Sequence, residues 1–485
     1  MKPILVLYSI ILLSSLLTAS EKPNIILLLT DDQSFYSMGI YGNKDVQTPQ
    51  MDRLGNDGII FDRHYATTAI CMASRATIMT GMFEYKTGCN FKHGGLSEEA
   101  FSISYPSLLR KAGYFTGFAG KFGIEGIAQP EDHFDRWGGG PNQTSFKTER
   151  NKSMKEYAKD FPHSTLSYGA FARDFIDEAK QLNKAFCLSI SFKAPHKPAT
   201  PDPKFNHIYK TTQFTKPANY GRQNGQHLSI QSQQGRQYER FESWNYADMY
   251  QEVMSLYHQQ IYAVDVVIGQ IREQLKELQL EENTVIIFSS DNGFLCGSHG
   301  YGSKVLPYEE SMRVPLIIYD PRLDSQKQGK RISSLSGNCD IAPTILKLAE
   351  LPIPSNMDGL SLLSALDDPH IQLHNSLPLI NVWGPEATHF LGTVTTKWKY
   401  ILWAYEGQDM KATEELFNMQ KDSIELKNEA INPEHSIPLK QMRKLYDKHL
   451  AKWRAEANPL NDYQRFGKLF DRHLPWDKKD KLWTK

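Results

Sequence analysis

The sequence predicts an α/β protein with a large, mainly parallel sheet and a smaller C-terminal α+β part carrying antiparallel strands. Residues 24–29 (NIILLL) and 284–290 (TVIIFSS) are nearly continuous apolar runs of strand length, the pattern of strands covered on both faces. Longer segments with helical periodicity lie between such runs, and strands alternating with helices build a parallel sheet. After about residue 370 the composition shifts to short, alternating aromatic and β-branched runs.

Taken in order, Lys2, the apolar run 4–17 and Thr18-Ala19-Ser20 read as a secretory signal over residues 1–20, cleaved near Ala19 or Ser20. A buried strand or a short anchor are the other readings, but the run is short for a membrane span. Export to the periplasm or medium is expected, without stable membrane insertion. Residues 24–29 follow as the first strand. Thr48-Pro49 opens a helix, with Thr as N-cap and Pro in the first turn. Residues 114–119 form a strand, 166–182 a helix and 185–192 a strand. The clearest helix covers residues 250–278, where Met254, Tyr257, Ile261, Val264, Ile268, Ile271, Leu275 and Leu278 recur at steps of three and four. Strands at 284–290 and 315–319 come next. Residues 390–405 read as antiparallel strands and 438–455 as helix. The domain expectation is a catalytic unit over residues 21–374, with a loop insertion at 197–246, and a C-terminal subdomain over 375–485.

Composition narrows the function classes. The 485 residues include 40% hydrophobic ones, ample for a large core. Lys and Arg number 55, as do Asp and Glu, which argues against a dedicated nucleic-acid binder. Five scattered cysteines suit neither a disulfide scaffold nor a zinc ribbon, and the odd count leaves at least one outside any internal pair.

Several polar clusters share one address. Asp31-Asp32, Lys121, His196 and Asp291-Asn292 each follow a strand, and open α/β sheets bind ligands beyond the carboxyl ends of their strands. Adjacent carboxylates repel unless a cation or proton neutralises them. Three carboxylates and an amide are hard oxygen donors suited to Ca²⁺ or Mg²⁺. The same residue types also serve as caps and turns. Cys71 opens a helix that stops near Gly81, so it lies where free N–H groups attract anions, with Arg75 on the same face one turn later. A reactive group beside a fixed cation suits attack on a sulfate or phosphate ester; a buried cysteine with a surface arginine is the plainer reading. His196 has a pKa range suited to acid–base work or is a capping histidine.

The sequence closely resembles the formylglycine-dependent sulfatases of the alkaline-phosphatase-like superfamily. The resemblance runs through KPNIILLLTDDQ, CMASRATIMTG, AGKF, APHKP, SDNGFLCGSHGYGSK, YEESMRVPLIIYDP and TKWKYI, over nearly all of the mature chain. It implies a sandwich with a large sheet between helices, a smaller antiparallel sheet, and hydrolysis of sulfate esters with one Ca²⁺. By the same resemblance a sulfatase-maturing enzyme oxidises Cys71 to formylglycine (3-oxoalanine). Asp31, Asp32, Asp291 and Asn292 hold Ca²⁺ with the modified residue; Arg75 stabilises the hydrated aldehyde; Lys121 and Lys304 bind sulfate; and His196 assists proton transfer or binds sulfate. One oxygen of the hydrate attacks sulfur and expels the alcohol, and loss of a proton from the other releases sulfate.

Two positions depart from the family pattern. Ala73 stands where proline is usual, a variant that the radical-type bacterial maturases accept, so a bacterial source is expected. Gly123 stands where many relatives carry histidine two residues after the lysine, and His299 is a candidate substitute acid or merely a turn residue.

Residues 193–246 contain eight Lys/Arg against three acids, interleaved with Tyr209, Tyr220, Tyr238 and Trp244. This suits a sulfated polysaccharide fragment; a solvated loop is the alternative. The expected activity is therefore an exported carbohydrate sulfatase. Hydrolysis of small aryl or choline sulfates or of phosphate or phosphonate esters, and non-catalytic glycan binding with unmodified Cys71, are the competing readings.

Overall fold

Eight strands form one sheet in the computed structural model, which describes residues 22–407 and 409–483. The signal-peptide expectation falls outside them. In chain order the strands are β1 (Asn24–Thr30), β2 (Ile59–Tyr65), β3 (Phe115–Lys121), β4 (Arg136–Gly140), β5 (Phe186–Ser191), β6 (Thr284–Ser290), β7 (Leu316–Tyr319) and β8 (Lys330–Gly337), arranged β4-β3-β5-β1-β6-β7-β2-β8. The block from β4 to β6 is parallel, whereas β7 runs antiparallel to both β6 and β2. The apolar run of β7 carries no mark of direction, so the reversal was not readable from its composition.

β1 lies near the middle of this sheet and is buried along its whole length. Its side chains alternate between two cores, as a pleated strand requires. Ile26 and Leu28 pack with the helices Ser164–Gln181 and Tyr250–Glu277, while Ile25, Leu27 and Leu29 pack with the helices Cys71–Thr80 and Ile341–Leu348. The sheet is therefore covered on both faces, which explains the lack of polar alternation in NIILLL and TVIIFSS. The long helix buries Met254, Tyr257, Ile261, Val264, Ile268, Ile271 and Leu275, the stripe read from the sequence.

A second sheet is antiparallel, in the order β12-β11-β10-β9, formed by β9 (Leu377–Asn381), β10 (Phe390–Val394), β11 (Trp398–Trp403) and β12 (Thr413–Asn418). The helix Ser436–Glu456 packs on it through Leu439, Met442, Tyr446, Leu450 and Trp453. An isolated bridge from Thr68 to Ile380 joins this layer to the loop before Cys71. All five cysteines are buried and unpaired. No helix among the described residues is long and apolar enough to cross a membrane.

Candidate active site

Sheet register gathers the polar clusters. Thr30 pairs with Ser290 across β1 and β6, so Asp31 and Asp291 leave the sheet side by side. Leu29 pairs with Ser191, and Ser191 with Gly120, so the segment 192–196 and Lys121 emerge next to them. Four adjacent parallel strands thus deliver Lys121, His196, Asp31-Asp32 and Asp291-Asn292 to one edge, the carboxyl end of the sheet. Asp32 takes a left-handed backbone (φ 72°), which sends the two adjacent carboxylates into the same space.

The helix Cys71–Thr80 completes the site. It begins at Cys71 without a side-chain cap and ends at Gly81, whose φ of 67° supplies the left-handed turn. Ser74 Oγ donates to the Asp291 carbonyl, fixing the helix to the end of β6. Arg75 is 2% exposed and forks between chains: Nε donates to Asp291 Oδ2 at 2.8 Å, Nη1 to the Lys121 carbonyl at 2.6 Å and to Ser191 Oγ, and Nη2 lies 3.7 Å from Asp31 Oδ2. Lys121 Nζ donates to Asp31 Oδ2 at 2.5 Å. Lys304 donates to Asp32 Oδ1 and, at 3.2 Å, to Asn292 Oδ1. His196 Nδ1 meets the Lys197 carbonyl, which leaves Nε2 facing Asp32 Oδ2 at 3.8 Å.

The electrostatics follow from burial and crowding. Burial pushes the Asp31 carboxyl up, but Lys121, His196, Arg75 and Lys304 outweigh it and hold the group well below the usual carboxylate range. Asp291 moves the other way, up to about 6, through burial first and the Asp31 charge second. Three carboxylates in one dry space do not share their charge equally without further positive charge. Two observations fit a hard cation here. Asp31 Oδ1 is buried and accepts no hydrogen bond, and ligand atoms of Asp31, Asp32 and His196 all lie within 4.8 Å of one another. With Asp291 and the Asn292 amide oxygen, the donor set is rich in oxygen, the chemistry that Ca²⁺ and Mg²⁺ prefer.

Cys71 opens onto a cavity of about 820 Å³ with Asp32, His196 and Lys304 in its wall. Gln143 Nε2 lies 3.8 Å from Cys71 Sγ, and the Gln143 carbonyl accepts from Lys193 Nζ at 2.7 Å. Burial pulls the Lys193 ammonium down to about 8. Gln143 and the cavity residue Trp383 were not foreseen: both lie in irregular segments where no periodicity or motif marks them.

His299 does not join this group. Its left-handed turn (φ 54°) buries the ring, which contacts Asn219 Nδ2 at 3.1 Å and the Asn224 carbonyl at 3.2 Å, and the residue is absent from the cavity wall. The structure therefore does not bring His299 to the cavity wall that holds Cys71, His196 and Lys304. The geometry also explains Gly123. Its φ is 66°, and a Cβ there would lie 3.0 Å from Arg75 Cδ and 3.2 Å from Lys121 Cε. A histidine at this position would be strained by the positive φ and would press on the two cations; His196 is the histidine of the cavity wall among the described residues.

A cysteine at a helix start, fixed cations and clustered carboxylates at the carboxyl edge of a covered α/β sheet suit a hydrolase of anionic esters with the alkaline-phosphatase-like fold. Comparison with known proteins makes the class specific. The sulfatase family model matches residues 23–351, and the model described as N-sulphoglucosamine sulphohydrolase, C-terminal, matches residues 297–453. The chain belongs to the sulfatase family and is a sulfuric ester hydrolase. An N-acetylglucosamine-6-O-sulfatase of Bacteroides thetaiotaomicron is 31% identical over 413 residues, covering 72% of each chain. An arylsulfatase of Clostridium perfringens is 26% identical over 466 residues, 88% of this chain and 94% of that one. A solved structure described as in complex with its substrate D-glucosamine-2-N,6-O-disulfate superposes with a TM-score of 0.74 at 25% identity, covering 90% of this chain and 99% of that one.

Proposed function

We propose that the protein is an exported sulfatase that removes a sulfate ester from a sulfated polysaccharide or its oligosaccharides, using formylglycine made from Cys71 by a maturing enzyme, and Ca²⁺. The observation that carries this reading is the convergence of Cys71, Arg75, Lys121, Lys304 and His196 with three carboxylates on one buried edge that opens into a sugar-sized cavity. The relatives' names support glucosamine sulfates as the first substrates to test.

In this reading Asp31, Asp32, Asp291 and Asn292 hold the cation. The bound cation and the hydrated aldehyde supply charge withdrawal from the sulfuryl group and an oxygen nucleophile. The chain's own residues do the rest. Arg75, held by Asp291, keeps a fixed positive charge at the start of the helix beside residue 71. Lys121 and Lys304 lie against the carboxylates with their ammonium groups positioned for sulfate oxygens. With Nδ1 tied to the Lys197 carbonyl, His196 Nε2 faces the site and holds or delivers the proton of the leaving alcohol. The protein wall excludes water from the sulfur, so burial strengthens every charge around it.

The test is sulfate release by enzyme matured in its producing cell. The panel contains defined sulfated oligosaccharides, aryl and choline sulfates, and phosphate and phosphonate esters. Sulfate release from sugars is expected; turnover confined to the small esters would overturn the substrate assignment. The peptide containing Cys71 should be lighter by the exchange of a thiol for an aldehyde, and Cys71→Ala should be inactive. Chelation should lower both activity and melting temperature, with Ca²⁺ restoring both; a melting curve indifferent to chelator and Ca²⁺ argues against the cation.

A further inference from the structure

Away from the carboxylates, the strongest charge in the cavity wall sits on the helix Arg236–Ser243, within the insertion 197–246. Arg236 and Arg240 are one turn apart, on one face of this helix, and both line the cavity. Each guanidinium is stacked on a tryptophan of the same wall: Arg236 on Trp383 and Arg240 on Trp244, both 4.2 Å from the ring centroid. The two tryptophans come from distant parts of the chain, Trp383 following β9 of the second sheet. Arg240 Nη1 also donates to Ser303 Oγ at 2.9 Å, and Ser303 is the neighbour of Lys304. The arginine pair is therefore tethered to the turn that carries Lys304.

Neither guanidinium has an ion-pair partner among the described residues, and Glu242 of the same helix is taken by Arg222 at 3.6 Å. Two cations one turn apart, Arg236 exposed and Arg240 partly buried, repel each other. Burial pulls the Arg240 guanidinium down to about 10, and Arg236 adds to the effect. A guanidinium lying over a ring keeps N–H edges for the forked contacts that sulfate and carboxylate accept. A further anion bound between them relieves the repulsion and uses donors that the fold leaves unpaired.

We propose that Arg236 and Arg240 form a second oxyanion subsite, so that the preferred substrate carries, besides the sulfate that is cleaved, a further sulfate or carboxylate on the same or the adjoining sugar. The inference rests on the glycan-sulfatase reading above and deepens it.

The experiment compares matched sugars with the mature enzyme: a glucosamine 6-sulfate against the same sugar with a second sulfate, and a sulfated disaccharide with a uronate against its neutral counterpart. The kcat/KM ratio of doubly to singly charged substrate should be about tenfold or more in at least one arm. The arm that shows it identifies the second anion as sulfate or carboxylate. The double variant Arg236→Gln/Arg240→Gln should bring the ratio near one, mainly through KM, while Arg236→Lys/Arg240→Lys, which keeps charge without the fork, should give an intermediate ratio. A ratio near one in both arms, or one that survives the double substitution, overturns the subsite. Calorimetric titration of the same sugars onto the Cys71→Ala protein separates the two claims. Absence of sulfate release from every sugar overturns the glycan-sulfatase reading, whereas titration without preference for the doubly charged sugar overturns the subsite.

Discussion

At the scale of single residues, the site depends on backbone conformation as much as on chemistry. Gly123 illustrates this: its positive φ strains any side chain, and a Cβ there would press on Arg75 and Lys121. Gly123→His should lower kcat by at least about tenfold, because moving these two cations weakens charge stabilisation at the reacting group. It should not restore a family-like acid. Steady-state kinetics of the variant on any accepted sulfate ester would decide, and undiminished turnover would refute the steric account. The aspartates, Asn292, Cys71, Arg75 and Lys121 were legible because each follows a recognisable strand or opens a helix. Gln143 and Trp383 were not, since their partners, Cys71 and Arg236, each lie more than 70 residues away in the chain. The position of the His299 ring was not legible, because adjacency to a metal-type motif says nothing about which way a left-handed turn sends it.

At the scale of elements, β1, β3, β5, β6, β7 and the long helices follow from apolar pattern, whereas β2, β4 and β8, with polar or glycine-rich stretches, do not, and the order of the strands brings the polar termini together. The insertion 197–246 was readable only as a charged, aromatic segment. Its ordering depends on contacts that no local pattern encodes. A Cβ at Gly302 would lie 2.7 Å from the Arg240 carbonyl, so this glycine lets the helix Arg236–Ser243 close onto the turn before Lys304. The helix Ser436–Glu456 depends on Trp453 in a comparable way. The ring stacks on Tyr85 at 4.9 Å, and its Nε1 donates to the Tyr463 carbonyl at 2.8 Å. Trp453→Ala should cost about 3–5 kcal/mol through lost burial and the cavity left behind. Urea unfolding would measure it; a loss below about 1 kcal/mol would mean that the second layer collapses around the gap.

At the scale of the whole molecule, burial makes stability depend on pH. His64 is held at about 4, His449 at about 4, and His258 and His389 at about 3, each chiefly by burial, against an ordinary value of 6.5. In the folded protein these rings stay neutral while the unfolded chain takes up protons. Their contribution is complete above pH 6.5 and is lost as pH falls toward the folded values, on the order of 3 kcal/mol for His64 alone. The melting temperature should therefore fall steeply between about pH 6.5 and 4, and His64→Gln should flatten part of that fall. A melting temperature constant across this window would contradict the burial argument.

The two sheets are also joined by charge. Lys399 of β11, fully buried, meets Glu309 at 2.7 Å and Glu425 at 2.6 Å and donates to the Pro307 carbonyl at 3.1 Å, in the stretch that begins three residues after Lys304. With Trp383 in the cavity wall as well, the C-terminal layer is no detachable module. Recombination between related enzymes that exchanged only one half would separate an ammonium from its acids and Trp383 from its arginine, so the halves must travel through evolution as a matched pair.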